Sequence, residues 1–189
     1  MAPRKSAEQE LSREMIMDRA RELFVTKGYQ HVSMRQVAKE LNCSHGAIYY
    51  HFKNKAELFY ALVEEHFQML DQVLDHIMNE DLHSTEKLKK IMLGFIKFGL
   101  TYQHHYEIMF LIKEEDVLNF INQGPNKSYD KFAQALSLLS DGKLSIQEIW
   151  CIFLSLHGFV THYIRHVVSY NEVEQLAQFH VNFLLKSIL

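Results

Sequence analysis

A chain of 189 residues, 48% hydrophobic and 12% aromatic, can bury one generous core or a small and a medium one. Two prolines and seven glycines are too few for the many turns of a sheet protein, so an all-α chain of about nine helices is expected. The net charge of −3 conceals a division: residues 1–55 hold ten Lys/Arg against six acids and the remainder ten against seventeen, so that only the first part suits a phosphate-bearing partner.

Taken in order, the first helix is predicted to start near Ser6, where Ser6 and Gln9 form a capping-box pair. Ile16, Ala20, Leu23 and Phe24 then form one helical stripe, and Gly28 ends it as a C′ residue. Ser33 with Gln36 caps a second helix whose apolar edge is Val37, Ala38 and Leu41. Ser44 offers a third N-cap to a very short helix carrying His45, Gly46, Tyr49, Tyr50 and His51. Two short helices around a tight turn over residues 33–52 have the layout of a helix-turn-helix, in which the second helix enters the major groove of DNA. Gly46 removes bulk where backbone and partner would meet, while Ile48 and Phe52 are expected to pack inward. Asn54 with Glu57 starts a fourth helix, whose first N–H groups, with Lys53 and Lys55, would receive a phosphate. From Leu58 to Ile77 apolar residues keep helical spacing, so one long helix is expected to join the two parts of the chain.

Several of these residues together resemble the DNA-binding domain of TetR-type transcriptional regulators. They are Leu23-Phe24, Gly28-Tyr29, the Ser33–Leu41 helix, the run Gly46 to Phe52, and Lys55 followed by Glu57-Leu58-Phe59, in order and without a gap over residues 8–70. The resemblance implies a three-helix DNA-binding domain at 8–68 and, at 69–189, a larger helical domain for effector binding and dimerisation. It also implies a repressor of palindromic double-stranded DNA operators. Side-chain chemistry and the family positions assign Ser33, Tyr49, Tyr50 and Lys55 to phosphate; Ser44, His45 and Arg35 are the candidates for base edges, with Gly46 and His51 on the same face.

Further along, a helix through Leu88, Ile91, Met92, Phe95, Phe98 and Tyr102 is expected, interrupted at His104-His105 and resumed through Tyr106, Met109, Phe110 and Ile112. Boundaries are read at Glu114-Glu115-Asp116 and Gln123-Gly124-Pro125-Asn126, with a helix over residues 129–139 ending at Asp141-Gly142. Ser145 with Glu148 caps the next, which carries Ile149, Trp150, Phe153, Leu156, Val160, Tyr163, Ile164 and Val167 on one broad face and Ile152, Leu154 and Phe159 outside it. Asn171 with Glu174 is read as the start of the last helix. These two helices are apolar nearly all round and ask for cover on both sides, which a homodimer built through them would supply.

Phe95, Phe98, Tyr102, Met109, Phe110, Trp150, Phe153 and His157 either fill a core or line a cavity for an apolar effector, and the resemblance favours the cavity. Twelve histidines raise a metal reading; His162 and His166 sit at i, i+4, yet nothing nearby completes a ligand set, so no metal and no cofactor is expected. Cys43 and Cys151 form neither a metal motif nor a disulfide framework, the N-terminus has no signal-peptide pattern and no run spans a bilayer, which together suggest a reduced, cytoplasmic protein with no membrane contact. No phosphate loop or nucleophile elbow is present, so an enzyme is not expected. The alternatives are a metal-dependent enzyme using the C-terminal histidines and a helical adaptor that only dimerises.

Overall fold

The computed structural model describes residues 11–112 and 124–186. Among them are nine α-helices and no strand: α1 Arg13–Lys27, α2 Met34–Glu40, α3 His45–His51, α4 Lys55–Met78, α5 Ser84–Thr101, α6 Gln103–Tyr106, α7 Gly124–Leu139, α8 Ile146–Tyr163 and α9 Glu174–Leu185. The predicted Ser6 cap, the Glu114-Glu115-Asp116 boundary and residues 8–10 of the expected first domain lie outside the described residues.

Local chemistry sets most helix starts. The Ser12, Ser33, Ser44, Asn54 and Ser145 side chains each accept a backbone N–H from the third residue on, satisfying a donor that the helix itself leaves open. The first helix thus starts at Arg13 behind Ser12, later than the Ser6–Gln9 pair suggests. Gly28, at φ +80, ends it with its N–H on the Phe24 carbonyl at 2.9 Å. The turn between α2 and α3 needs one left-handed residue, and Asn42 at φ +51 supplies it without a glycine.

The predicted α1 stripe is buried in full, and Phe24 and Tyr29 pack edge-on against Phe59 of α4 with ring centroids 5.3 and 5.0 Å away, the first two rings lying tilted to each other. Ile48 and Phe52 are buried as expected. Arg13 ties α1 to the end of α3, donating to the His51 carbonyl at 3.1 Å while its guanidinium lies 4.1 Å over the Phe52 ring.

The remaining helices gather around α5, which packs against α4, α7, α8 and α9. Its last turns bury Phe95, Ile96, Phe98 and Leu100, and Gly99 is where α8 comes closest: a Cβ there would stand 2.6 Å from Val160 Cγ1 and 2.9 Å from Tyr106 Cδ2. After the predicted interruption, α6 passes into a single π-helical turn at Glu107–Leu111, which carries Met109 and Phe110 to the inner surface. Buried Glu107 is paired with Arg165.

Predicted boundaries shift in the second half: α7 starts at Gly124, five residues ahead of the predicted 129. α8 stops at Tyr163, and Arg165 adopts φ +67 in the following turn, so Ile164 and Val167 lie beyond the helix. The next cap is Ser169 with Glu172 around a short 3-10 turn, and α9 begins at Glu174 without Asn171 as its cap. On α8 Leu154 is exposed as expected, but Ile152 is buried and Trp150 exposed, the reverse of their expected faces, because Ile149, Ile152, Leu156 and Val160 form the stripe that meets the core.

An arginine fastens α1 to α4. Arg21 donates to Asp18 at 2.7 Å, to Glu65 at 2.8 Å and through Nε to His66 Nε2 at 2.9 Å. His66 is wholly buried, with the His105 ring 4.2 Å from its own, and burial above all, then the His105 and Arg21 charges, hold its pKa down to about 2. Burial, followed by Arg21 and His104, likewise lowers His105 to about 4.

Two expectations follow. Gly99→Ala forces α5 away from Val160 and Tyr106 and should cost about 1–3 kcal/mol of unfolding free energy, read from urea denaturation. For His66 the folded pKa lies below the unfolded value of about 6.5, so the unfolded chain binds the extra proton; the stability due to neutral His66 is complete above about pH 6.5 and is lost as pH falls below it. Unfolding free energies of the wild type and His66→Gln, measured from about pH 6 to 4, should differ in slope by about 1.4 kcal/mol per pH unit, the variant being flatter.

Candidate nucleic-acid interface and internal cavity

The outer face of α3 is built by its own caps. Ser44 Oγ accepts from Ala47 N at 3.2 Å, and Ile48 anchors the helix from beneath. That leaves Tyr50 88% and Tyr49 43% exposed, with the His45 ring edge-on to Tyr49 at 4.6 Å and His51 against Tyr50 at 5.3 Å. Gly46 is exposed, and a Cβ added to it would meet nothing of this chain nearer than Ser44 Oγ at 4.0 Å, so internal packing does not require the glycine. Ser33 is exposed and caps α2 through Gln36 N at 3.3 Å; Arg35, two residues on, is exposed on the same helix.

Two sequence expectations meet a different environment. Lys55, assigned to phosphate, donates to the Tyr29 carbonyl at 2.9 Å and sits 4.0 Å over the Tyr29 ring, which fixes its ammonium group while using one of its three N–H donors. At the start of α4, expected to receive a phosphate, one first-turn donor is taken by the chain itself, since Asn54 accepts the Glu57 N–H at 2.8 Å, and Glu57 in turn accepts the Lys53 N–H at 2.7 Å.

Between α4, α5, the π turn, α7 and α8 lies a cavity of about 590 Å³. Six of the eight predicted lining residues reach it: Phe95, Met109, Phe110, Trp150, Phe153 and His157. Phe98 and Tyr102 do not. They pack on each other at 5.4 Å, and Tyr102 turns its edge to His105, because the bend at Tyr102 aims both away from the cavity. Unforeseen were the α4 face from Phe59 through Val63, Phe67, Leu70 and Asp71, and Ser128, Tyr129 and Phe132 from α7. His157 is hydrogen-bonded to the Tyr106 hydroxyl at 2.6 Å, and burial keeps that phenol protonated far above its ordinary range.

The third feature is an apolar strip. α9 buries Ala177, Val181 and Leu185 and presents Leu176, Phe179 and Phe183 outward, 45%, 69% and 64% exposed, beside Phe159, His162 and Tyr163 of α8. His162 and His166 do not share a helix as their spacing implied: His166 lies beyond the end of α8, with Nδ1 2.7 Å from the His162 carbonyl. Among the described residues no three His, Cys, Asp or Glu side chains are grouped to hold a metal ion, and no helix is long and apolar enough to cross a membrane.

Residues 16–62 match the family described as bacterial regulatory proteins, tetR family. An HTH-type transcriptional regulator of Staphylococcus aureus is 29% identical over 118 residues, 61% of this chain and 56% of that protein, so the match spans little more than half of the relative's length. Among solved structures, the fatty acid degradation regulator FadR of Bacillus halodurans superposes with a TM-score of 0.77 at 20% identity, covering 96% of this chain and 97% of that one. FadR of Bacillus subtilis, solved in complex with stearoyl-CoA, gives 0.76 at 20% identity over 92% and 97%. A fatty acid metabolism regulator of Clostridium perfringens, itself a provisional assignment, gives 0.71 at 19% over 88% and 96%.

Removing the Lys55 ammonium separates its internal role from any external one. Lys55→Met should lower unfolding free energy by about 1 kcal/mol, through the lost carbonyl hydrogen bond and cation–π contact, in the absence of any nucleic acid; thermal denaturation by circular dichroism measures it.

Proposed function

We propose, from the premise that the chain belongs to the TetR family of bacterial regulators, that it is a homodimeric DNA-binding transcriptional regulator, a repressor released by a small, largely apolar effector. The observation that carries this reading is α3: a seven-residue helix that buries Ile48 and turns two tyrosines and a histidine outward has its polar surface arranged for a partner. In a helix-turn-helix the second helix enters the major groove, where side chains of this kind meet phosphate oxygens and base edges. Ser33, Tyr49 and Tyr50 are assigned to phosphate, and Arg35, Ser44 and His45 to bases, with Gly46 and His51 on the approaching face. Lys55 is assigned to phosphate with them, its ammonium group steadied by Tyr29.

The outward strip of Leu176, Phe179 and Phe183 favours a second copy of the chain as its cover, because a two-fold axis there brings like faces together. Such a pair would present two α3 helices to the half-sites of a palindrome. The domain division of the reading is residues 8–68 for DNA and 69–189 for effector and partner. The cavity supports the effector part. That a similarly folded regulator was solved with stearoyl-CoA fits an apolar occupant, and release requires that the occupant favour the conformation poor at binding DNA. An enzyme has less support: the similar proteins reported above are regulators, and the two histidines of the metal reading lie on different elements.

The test is selection of bound duplexes from a random pool, followed by fluorescence anisotropy on the recovered site. Tyr50→Phe should weaken binding to every sequence by about 0.5–1.5 kcal/mol. Arg35→Ala should cost about 1–3 kcal/mol and relax the base preference. Phe179→Glu should yield monomers and lose most affinity for the palindrome. A wild-type chain that retains no duplex at low ionic strength would remove the DNA-binding reading and leave the dimerising adaptor.

A further inference from the structure

The cavity has one wall unlike the rest. Its surface is apolar, with aliphatic and aromatic side chains interleaved, and Tyr129, Trp150 and Phe153 form a contiguous panel, with Tyr129 edge-on to Trp150 at 5.0 Å and to Phe153 at 5.7 Å, and Trp150 stacked on Phe153 at 5.2 Å. Among the described lining residues the single formal charge is Asp71 of α4, and no lysine or arginine joins it. Its carboxylate is hydrogen-bonded by Ser128, the buried neighbour of Tyr129, so the charge and the aromatic panel adjoin.

Two cations or donors bear on Asp71, and neither neutralises it. Lys131 is bound to Asp75 at 2.6 Å and is not part of the lining, and Ser128 supplies a hydrogen bond only. Burial nonetheless dominates, and with the like charge of Asp75 it holds the Asp71 carboxyl above its ordinary range. A half-buried carboxylate left short of counter-charge, beside the electron-rich faces of indole, phenol and phenyl rings, attracts an organic cation twice over. The same wall disfavours an anionic head group, which would meet Asp71 with no lysine or arginine among the described lining residues to offset it.

Resting on the effector reading above, we propose that this cavity takes a lipophilic organic cation, its charge set between Asp71 and the Tyr129–Trp150–Phe153 panel and its apolar bulk against α4 and α5. Phe59 and Phe67 of α4 would receive the apolar part.

The chain contains a single tryptophan, Trp150, and it lines the cavity, so its fluorescence reports occupancy directly. The full chain is titrated with tetraphenylphosphonium, with tetraphenylborate as a probe of matching shape and opposite charge, and with palmitate. The phosphonium should change Trp150 emission saturably and bind about tenfold more tightly than the borate. Asp71→Asn, of equal size at a half-buried position, should weaken the cation about tenfold and bring the two ions close to parity. Borate or palmitate binding as tightly as the phosphonium, or an Asn variant that keeps the preference, overturns the cation assignment and leaves the effector cavity standing. If none of the three probes alters Trp150, cavity and assignment fall together. Should the Asn variant lose its helical circular dichroism, the preference of the unaltered chain decides.

Discussion

One helix runs the length of a core that is continuous from α1 to α9. α4 runs without glycine or proline from Lys55 to Met78, roughly 36 Å at the usual rise. Its first turns place Leu58, Phe59 and Leu62 among the side chains of α1 and the Tyr29 turn, and its later turns place Leu74 and Ile77 beneath α5. Neither end can shift without displacing a packed interior, since close-packed side chains pass strain on rather than absorb it. Phe59 shows the constraint at one residue. Its ring is wedged against Phe24 and Tyr29, and it also forms part of the cavity wall. The cavity wall and the floor of the helix-turn-helix therefore share a side chain.

The basic residues of the N-terminal part divide between two duties. Arg13 closes α1 onto α3, Arg21 binds α1 to α4 through Glu65 and His66, and Lys55 holds Tyr29. These cations fix how α3 is presented. Arg35, Lys39 and Lys53 are exposed around the helix-turn-helix and are placed to meet a polyanion. The charge excess read from composition is thus an upper bound on the charge offered to phosphate. Similar care applies to the start of α4, where the carboxylate of Glu57 already takes the Lys53 N–H.

What could be read without the structure was local in the chain. Caps at Ser33, Ser44, Asn54 and Ser145 work over three residues, and the α1 stripe over eight, so both are written in short windows. The inward aim of Ile48 and Phe52 follows from the same periodicity. The misses have longer range or weaker local marks. Nothing near Arg165 announced a left-handed residue, so α8 was read one turn too long, and the cap was assigned to Asn171 when Ser169, two residues earlier, holds it. The cavity lining was half legible because an aromatic residue on an inner face can fill a core or border a void, and only the packing of five elements decides. Asp71 and Ser128 carried no signal: each is an ordinary polar position on its own helix, and their meeting is a property of the α4–α7 contact.

That contact bears on why a space of about 590 Å³ persists in so small a chain. Were it dry and sealed, a cavity term of about 24 cal/mol per Å³ would amount to roughly 14 kcal/mol, as large as the whole stability of an ordinary domain. The space must therefore be reached by solvent or filled, and Trp150 and Leu154, each nearly half exposed, lie along its wall on the solvent side. Water in such a chamber is poorly held, with apolar side chains on most sides and few polar partners. Exchange of that water for an apolar molecule gains contact on every ring face it covers, and the gain is available only while α4, α5, α7 and α8 keep their present spacing. On the proposed reading, binding would favour whichever placement of α4 keeps the chamber open, and the contacts of Phe59 and Arg21 would extend that preference to α1 and the turn beneath the exposed tyrosines.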